Sequence, residues 1–219
     1  MIRKTMFLVM AAFALALVAA VPAWAMEPSH DGHHHYAQKV LFVQTNQPSG
    51  NKIAVYDRHR DGTLSFKAMY ATGGKGGVAA GAPSDPLASQ GSLVTADHGR
   101  ILLAVNAGSD TVSVFTVWGD HLKLRQVTSS GGSFPTSIAV HGRLVYVMNA
   151  GGVGELQGYW LSGDRLYPMY GSGRSLELAN TTPPNCLTSP GQVGFSPDGS
   201  RLIVTTKASG STIDVWRVR

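Results

Sequence analysis

The sequence has one cysteine, Cys186, so no intrachain disulfide can brace it and the fold must rest on packing. Cys186 has no sequence-local catalytic partner and sits among Pro183, Pro184 and Pro190, which favours a structural or incidental thiol over a nucleophile. Charged residues make up only 14% of the chain and form no basic block, so the electrostatic footprint of a nucleic-acid binder is missing. P-loop, dinucleotide, paired-cysteine and Gly-x-Ser-x-Gly motifs are also missing, and no cofactor is expected. Beyond the first 25 residues no apolar stripe of helical period persists, which points away from an α-rich domain.

What is present begins with Arg3 and Lys4, an apolar run from Met6 to Val21, and Ala23-Trp24-Ala25. A basic start, a short apolar stretch and a small-x-small end make a secretion signal, residues 1–25. The run is short for a membrane anchor and polar sequence follows at once. Export to the periplasm or the extracellular medium is therefore expected. Residues 26–39 read as a flexible, histidine-rich mature terminus, where His30, His33, His34 and His35 could hold a borderline metal only adventitiously.

The remaining 40–219 is rich in glycine and repeats itself. LFVQTN (41–46), ILLAVN (101–106), LVYVMN (144–149) and LIVTT (202–206) are each followed by a polar turn and a second strand carrying Tyr56, Phe115, Tyr159 or Trp216. Those aromatics lie 10, 9, 10 and 10 residues past Asn46, Asn106, Asn149 and Thr206, which suggests one packing layer used four times. Initial strands at 93–96, 138–140 and 193–195 lead into turns at Asp97-His98-Gly99-Arg100, His141-Gly142-Arg143 and Pro197-Asp198-Gly199-Ser200-Arg201. Outer strands are expected at 64–70, 122–127 and 166–170, and the glycine- and proline-rich stretches 73–91 and 171–190 as loops. The first unit lacks an initial strand and the last lacks an outer one. The expected fold is all-β: a partial β-propeller of four-stranded antiparallel blades, about three and a half blades, with open sheet edges that invite self-association.

GGSFPTSIAVHGRLVYVMNAGG and PGQVGFSPDGSRLIVTTKASGSTIDVWRV, with ILLAVNAGSDTVSVFTV before them, resemble the bacterial β-propeller lactonase family, which includes 6-phosphogluconolactonases and carboxymuconate-cyclising enzymes. That resemblance implies a seven-bladed ring of which this sequence matches the amino-terminal half, and a small sugar or carboxylic lactone as substrate. It also implies catalytic histidine, arginine and glutamate drawn from middle and later blades, with a histidine after the proline that opens a blade. Thr136 and Gly191 stand at those positions here, so no catalytic residue is carried over and the chain alone is expected to be inactive.

From the residues themselves, Asn106, Asn149 and Lys207 at the recurrent strand end are the candidate channel-rim contacts, against a structural reading in which they cap strands and bond the following turns. His98, His141 and Arg143, in hairpin turns, are further candidates with suitable chemistry. Two function classes follow: an exported lactonase-like hydrolase, or a non-catalytic secreted scaffold that binds protein, glycan or a small ligand. Neither nucleic acid nor a stable membrane anchor is among the expected partners. Amino-terminal sequencing of exported material is expected to begin at Met26, whereas recovery of Met1 in a membrane fraction would favour an anchor.

Overall fold

A computed structural model describes residues 40–208 and 210–218 of the chain. The signal segment and the histidine tract lie outside the described residues. The remainder forms four antiparallel sheets in chain order. The first comprises β1 (Val40–Gln44), β2 (Lys52–Arg58) and β3 (Leu64–Ala71). The second runs β4 (Leu93–Ala96), β5 (Ile101–Asn106), β6 (Thr111–Trp118) and β7 (His121–Ser129). The third has β8 (Pro135–His141), β9 (Leu144–Asn149), β10 (Glu155–Ser162) and β11 (Arg165–Pro168), with the short β12 (Arg174–Ser175) extending its outer edge along β10. The fourth stops at three strands, β13 (Gln192–Phe195), β14 (Arg201–Thr205) and β15 (Ile213–Arg217). The sheets resemble propeller blades, and they do not close into a ring.

Successive sheets are joined by three apolar seams. Ile53 and Val55 meet Leu102 and Phe115 between the first two sheets. Val112 and Val114 meet Val145, Val147 and Tyr159 between the second and third. Leu156 and Met148 meet Leu202, Val204 and Trp216 between the third and fourth. Because side chains alternate across a strand, β5 and β9 bury both faces and read as continuous apolar runs.

One strand of each sheet, β2, β6, β10 and β15 in turn, carries a recurring pattern: Ile53-Ala54-Val55-Tyr56, Val112-Ser113-Val114-Phe115, Leu156-Gln157-Gly158-Tyr159 and Ile213-Asp214-Val215-Trp216. The residues three and one before the aromatic face the next sheet, and the aromatic faces the previous one. Phe115 and Tyr159 are accordingly 0% and 1% exposed. Tyr159 also donates its hydroxyl to the Ser129 carbonyl at 2.6 Å. Burial pushes that phenol well above its ordinary range.

Register shows where the sequence alignment slips. Tyr56 pairs with Leu41 as Phe115 pairs with Leu102, and in both sheets a β-bulge interrupts the pairing to the outer strand just before the aromatic. The first-sheet counterpart of Asn106 is therefore Thr45, one residue earlier than Asn46. Asn46 has left the strand, with φ of 51°, and bonds Gly77 instead. The two outer-strand residues left unpaired by the bulges, Lys67 and Arg125, reach Asp120 and Asp164 in the hairpins of the next sheet, at 3.8 and 2.5 Å. These exposed bridges add little energy but fix how the outer strands lie.

The hairpin Ser196–Ser200 behaves as its sequence implies. Asp198 accepts hydrogen bonds from the Ser196 and Ser200 hydroxyls and the Ser200 amide, which lowers its carboxyl to about 2.

Replacing Phe115 by Ala should cost about 3–5 kcal/mol of stability in urea denaturation, since it empties the first seam. Trp118→Ala, at an 88% exposed position, should stay within about 0.5 kcal/mol. Equal effects would mean that the seams do not carry the fold.

Candidate functional site

The strand-end residues are built into the seams. Asn106 is fully buried: its Oδ1 accepts from Asn51 Nδ2 at 2.9 Å, and its Nδ2 donates to Thr111 Oγ1 at 3.1 Å and Ser113 Oγ at 2.7 Å. Ser113 in turn donates to the Thr72 carbonyl of the preceding sheet. A Cβ on Gly74 would sit 2.5 Å from the Asn106 amide, so only glycine lets the chain leaving the first sheet pass this close. Asn149, also fully buried, repeats the arrangement by donating to the carbonyls of Ser130 and Glu155 at 3.0 and 3.3 Å. Both side chains thus span the turn after their strand, and both also tie it to the preceding sheet, Asn106 through Asn51 in the β1–β2 turn and, by way of Ser113, Thr72, and Asn149 through Ser130 in the link leaving that sheet. That second role, and Asn51 as the partner of Asn106, had no signal in the repeat.

Lys207 lies at the same end of the molecule, half-buried, with Nζ donating to the carbonyls of Ala88 and of Cys186. It thereby joins the two long loops. These loops also bond each other directly: Ala80 N to Pro184 O at 2.8 Å, Cys186 N to Ala80 O at 2.9 Å, and Ser89 Oγ to Gly191 O at 2.7 Å. Ala79 and Leu87 of the first loop pack with Ala107, Phe134, Ile138 and Ala150. The loops therefore cover the ends of β4 and β8, the strands that pack together on the inner side of the sheets. Cys186 is half-buried and packs at the margin of this cluster. Burial lowers the Lys207 amine from its ordinary range, while Asp85 and the Cys186 thiol oppose the shift.

At the opposite end, a groove of about 570 Å³ opens between the second and third sheets, lined by Asp97, His98, Arg100, Arg143, Val140 and Leu161 among others. It brings together His98 and Arg143 of the three hairpin candidates. His141 points the other way, its ring 5.7 Å from that of Phe195 and against Gly199. Asp97 and His98 approach to 3.7 Å, in a turn where Asp97, His98 and Gly99 all adopt positive φ. The Asp97 carboxylate is engaged more closely by Arg100, at 2.8 Å, which holds its carboxyl below the usual range. The His98 side chain is 95% exposed and has no other hydrogen-bond or ion-pair partner among the described residues. The Arg143 guanidinium makes no hydrogen bond or ion pair among the described residues, while the Arg143 carbonyl accepts from Leu161 N at 2.8 Å. The groove offers cations and hydrogen-bond donors but no positioned general base. Among the described residues no group of three or more His, Cys, Asp or Glu could hold a metal ion.

Neither a family model nor a curated protein matches the sequence. Solved structures do. A protein from Lactobacillus plantarum is similar over 84% of this chain and 51% of its own, with 13% identity and a TM-score of 0.63. The periplasmic gluconolactonase of Pseudomonas aeruginosa is similar over 84% and 51%, at 19% identity and TM-score 0.60. Hydrazine synthase of Kuenenia stuttgartiensis is similar over 82% and 43%, at 19% identity and TM-score 0.53. The chain spans about half the length of these structures. At such identities the likeness is one of fold, and the last two proteins show that the fold serves unrelated reactions.

Lys207→Met should loosen the two loops without disturbing the seams, read as faster amide exchange at Gln90 and Cys186 against unchanged exchange in β5 and β9. Because the folded-state pKa lies below the unfolded value, the unfolded chain binds more protons between the two. Wild-type stability should therefore rise as pH climbs through that window toward the ordinary 10.5, an increment that Lys207→Met removes. Identical exchange and pH profiles would show that the loops hold each other without Lys207.

Proposed function

We propose that the chain is an exported, lactonase-like propeller segment, about three and a half blades of a seven-blade plan, that binds a small anionic ligand without hydrolysing it. The observation that carries this reading is the groove between the second and third sheets, where Arg100 and Arg143 stand over a cleft and His98 has no geometry for taking a proton. An open-chain sugar acid or its lactone fits such a site: the unpaired Arg143 guanidinium takes the carboxylate or polarised carbonyl, Arg100 being held by Asp97, and the surrounding backbone takes hydroxyls. The inner end, where the lactonase resemblance would put the chemistry, is covered by the two long loops.

A hydrolase remains the second reading, favoured by the fold likeness to the Pseudomonas aeruginosa gluconolactonase. Hydrolysis needs a water held between a base and an oxyanion-stabilising donor, and groups fixed to within about 0.5 Å. The four open-ended sheets leave the groove's hairpins braced on one side only.

Gluconate titrated into the full chain by calorimetry should bind, and Arg143→Ala should weaken it by about tenfold, the loss expected of one charge-assisted contact. Gluconolactone should show no turnover above the spontaneous rate. Turnover near 1 per second or faster would replace the binding reading with the hydrolase one.

A further inference from the structure

The groove between the second and third sheets does not stop at Arg143. Its inner part, around His98 and Arg143, adjoins a second hollow of about 550 Å³ that reaches Thr116 and Asp164. Asp97, Arg100 and Gly163 line both parts, so the two form one cleft running outward along the hairpin ends. Each part alone lies within the roughly 300–1,000 Å³ of small-molecule sites. A single open-chain sugar acid held at the inner part therefore leaves the outer one unused.

Charge is distributed unevenly along this cleft. At the joint between the two parts Asp97 is paired with Arg100 at 2.8 Å, and at the outer wall Asp164 is paired with Arg125 at 2.5 Å. Each acid thus has its own guanidinium, and Arg143 at the inner end is the charge left over. A ligand's anion belongs there, where no protein carboxylate competes for it. The outer part carries no such surplus but keeps hydrogen-bonding capacity, since a carboxylate accepts about four hydrogen bonds and a guanidinium donates about five. The Thr116 hydroxyl adds to it, held only by a long 3.5 Å bond to the Lys123 carbonyl. Gly163, common to both parts, has φ of 60° and no atom within 4 Å of where a Cβ would stand, so its backbone is open for a ring to lie against. A neutral, hydroxyl-rich group matches such a wall.

We infer that the ligand of this cleft is an acidic disaccharide, its carboxylate held by Arg143 and its second, neutral sugar ring lying outward over Gly163 toward Thr116. The inference rests on the reading of the groove as a sugar-acid site and gives that site a second position, set by the order of charge along the cleft.

Calorimetry on the full chain compares gluconate with lactobionate, which is gluconate carrying a neutral galactose, and with lactose, which lacks the carboxylate. Lactobionate should bind about tenfold tighter than gluconate, the gain expected of one or two added hydrogen bonds, and lactose about tenfold weaker than lactobionate. Thr116→Tyr, which fills the outer hollow, should bring lactobionate down to the affinity of gluconate, with gluconate binding and the strand circular dichroism as in the wild type. Lys75→Ala, an exposed position at the opposite end of the sheets, should change neither affinity. If gluconate binds and lactobionate binds no tighter, or if Thr116→Tyr leaves the difference intact, the second position is overturned and the sugar-acid reading stands. Lactose binding as tightly as lactobionate would overturn the placing of the anion at Arg143. If neither acid binds, both readings fall together.

Discussion

Everything in this molecule depends on one contact, the aromatic Phe115, Tyr159 or Trp216 pressed onto the aliphatic face of the sheet before it. With no disulfide and few charges, only apolar burial, at about 25 cal/mol per Å², is available to hold four small sheets together. A sheet of three or four short strands leaves its apolar face in water unless something covers it, and here the neighbouring sheets do. Phe115 and Tyr159 lie in the two central seams and are shut off from solvent, while Tyr56 and Trp216 in the end sheets are only partly covered. The molecule is in this sense quasi-one-dimensional, with order strongest in the middle and weakest where a seam is half made.

A polar layer lies beside each seam and sets its direction. Asn106 spends its amide on Asn51 in the β1–β2 turn as well as on its own turn, and Asn149 on Ser130 in the link leaving the previous sheet, so each of these sheets is hooked to the one before it. On the outer side, Lys67 and Arg125 make the matching link forward to the next hairpin. Burying an amide costs least when its groups are satisfied, and Asn106, with Gly74 close by and Ser113 and Asn51 as partners, meets that condition, whereas the buried Asn149 Oδ1 has no hydrogen-bond partner among the described residues. The apolar seam supplies the energy and the amide hook the alignment.

The seams were legible in the sequence because they are local: β5 and β9 occupy the residues expected, and the aromatic cadence found every sheet. Parity was not. The β1–β2, β5–β6 and β9–β10 links pair Thr45 with Lys52, Asn106 with Thr111 and Asn149 with Glu155, three different lengths, so aligning on asparagine shifted the first sheet by one residue. One residue in a strand reverses its faces, and Asn46 was thereby mistaken for a counterpart of Asn106. The site was harder still. Its cations come from two hairpins some 40 residues apart in sequence, and the loops that cover the inner end meet through Ala80 and Cys186, which no pattern within either loop announces.

The same architecture explains why fold likeness and chemistry separate here. In a stack of repeated sheets the invariant parts are the seams, and reactivity has to be added in the connections, which are free to vary. In this chain the longest connections, those with room for such groups, turn their polar atoms on each other: Lys207 on two carbonyls, Ala80 on Pro184, Ser89 on Gly191. A hydrogen-bonding group committed to the protein in this way is withdrawn from a ligand. What remains open to solvent is the short hairpins at the other end, whose tight turns were selected for closing strands. Arg143 and His98 project from those turns because turns put polar side chains outside. A site made from them can attract and hold charge, but it lacks the second ring of contacts that would fix a base against a reacting atom, and the same turns that give it exposure deny it that rigidity.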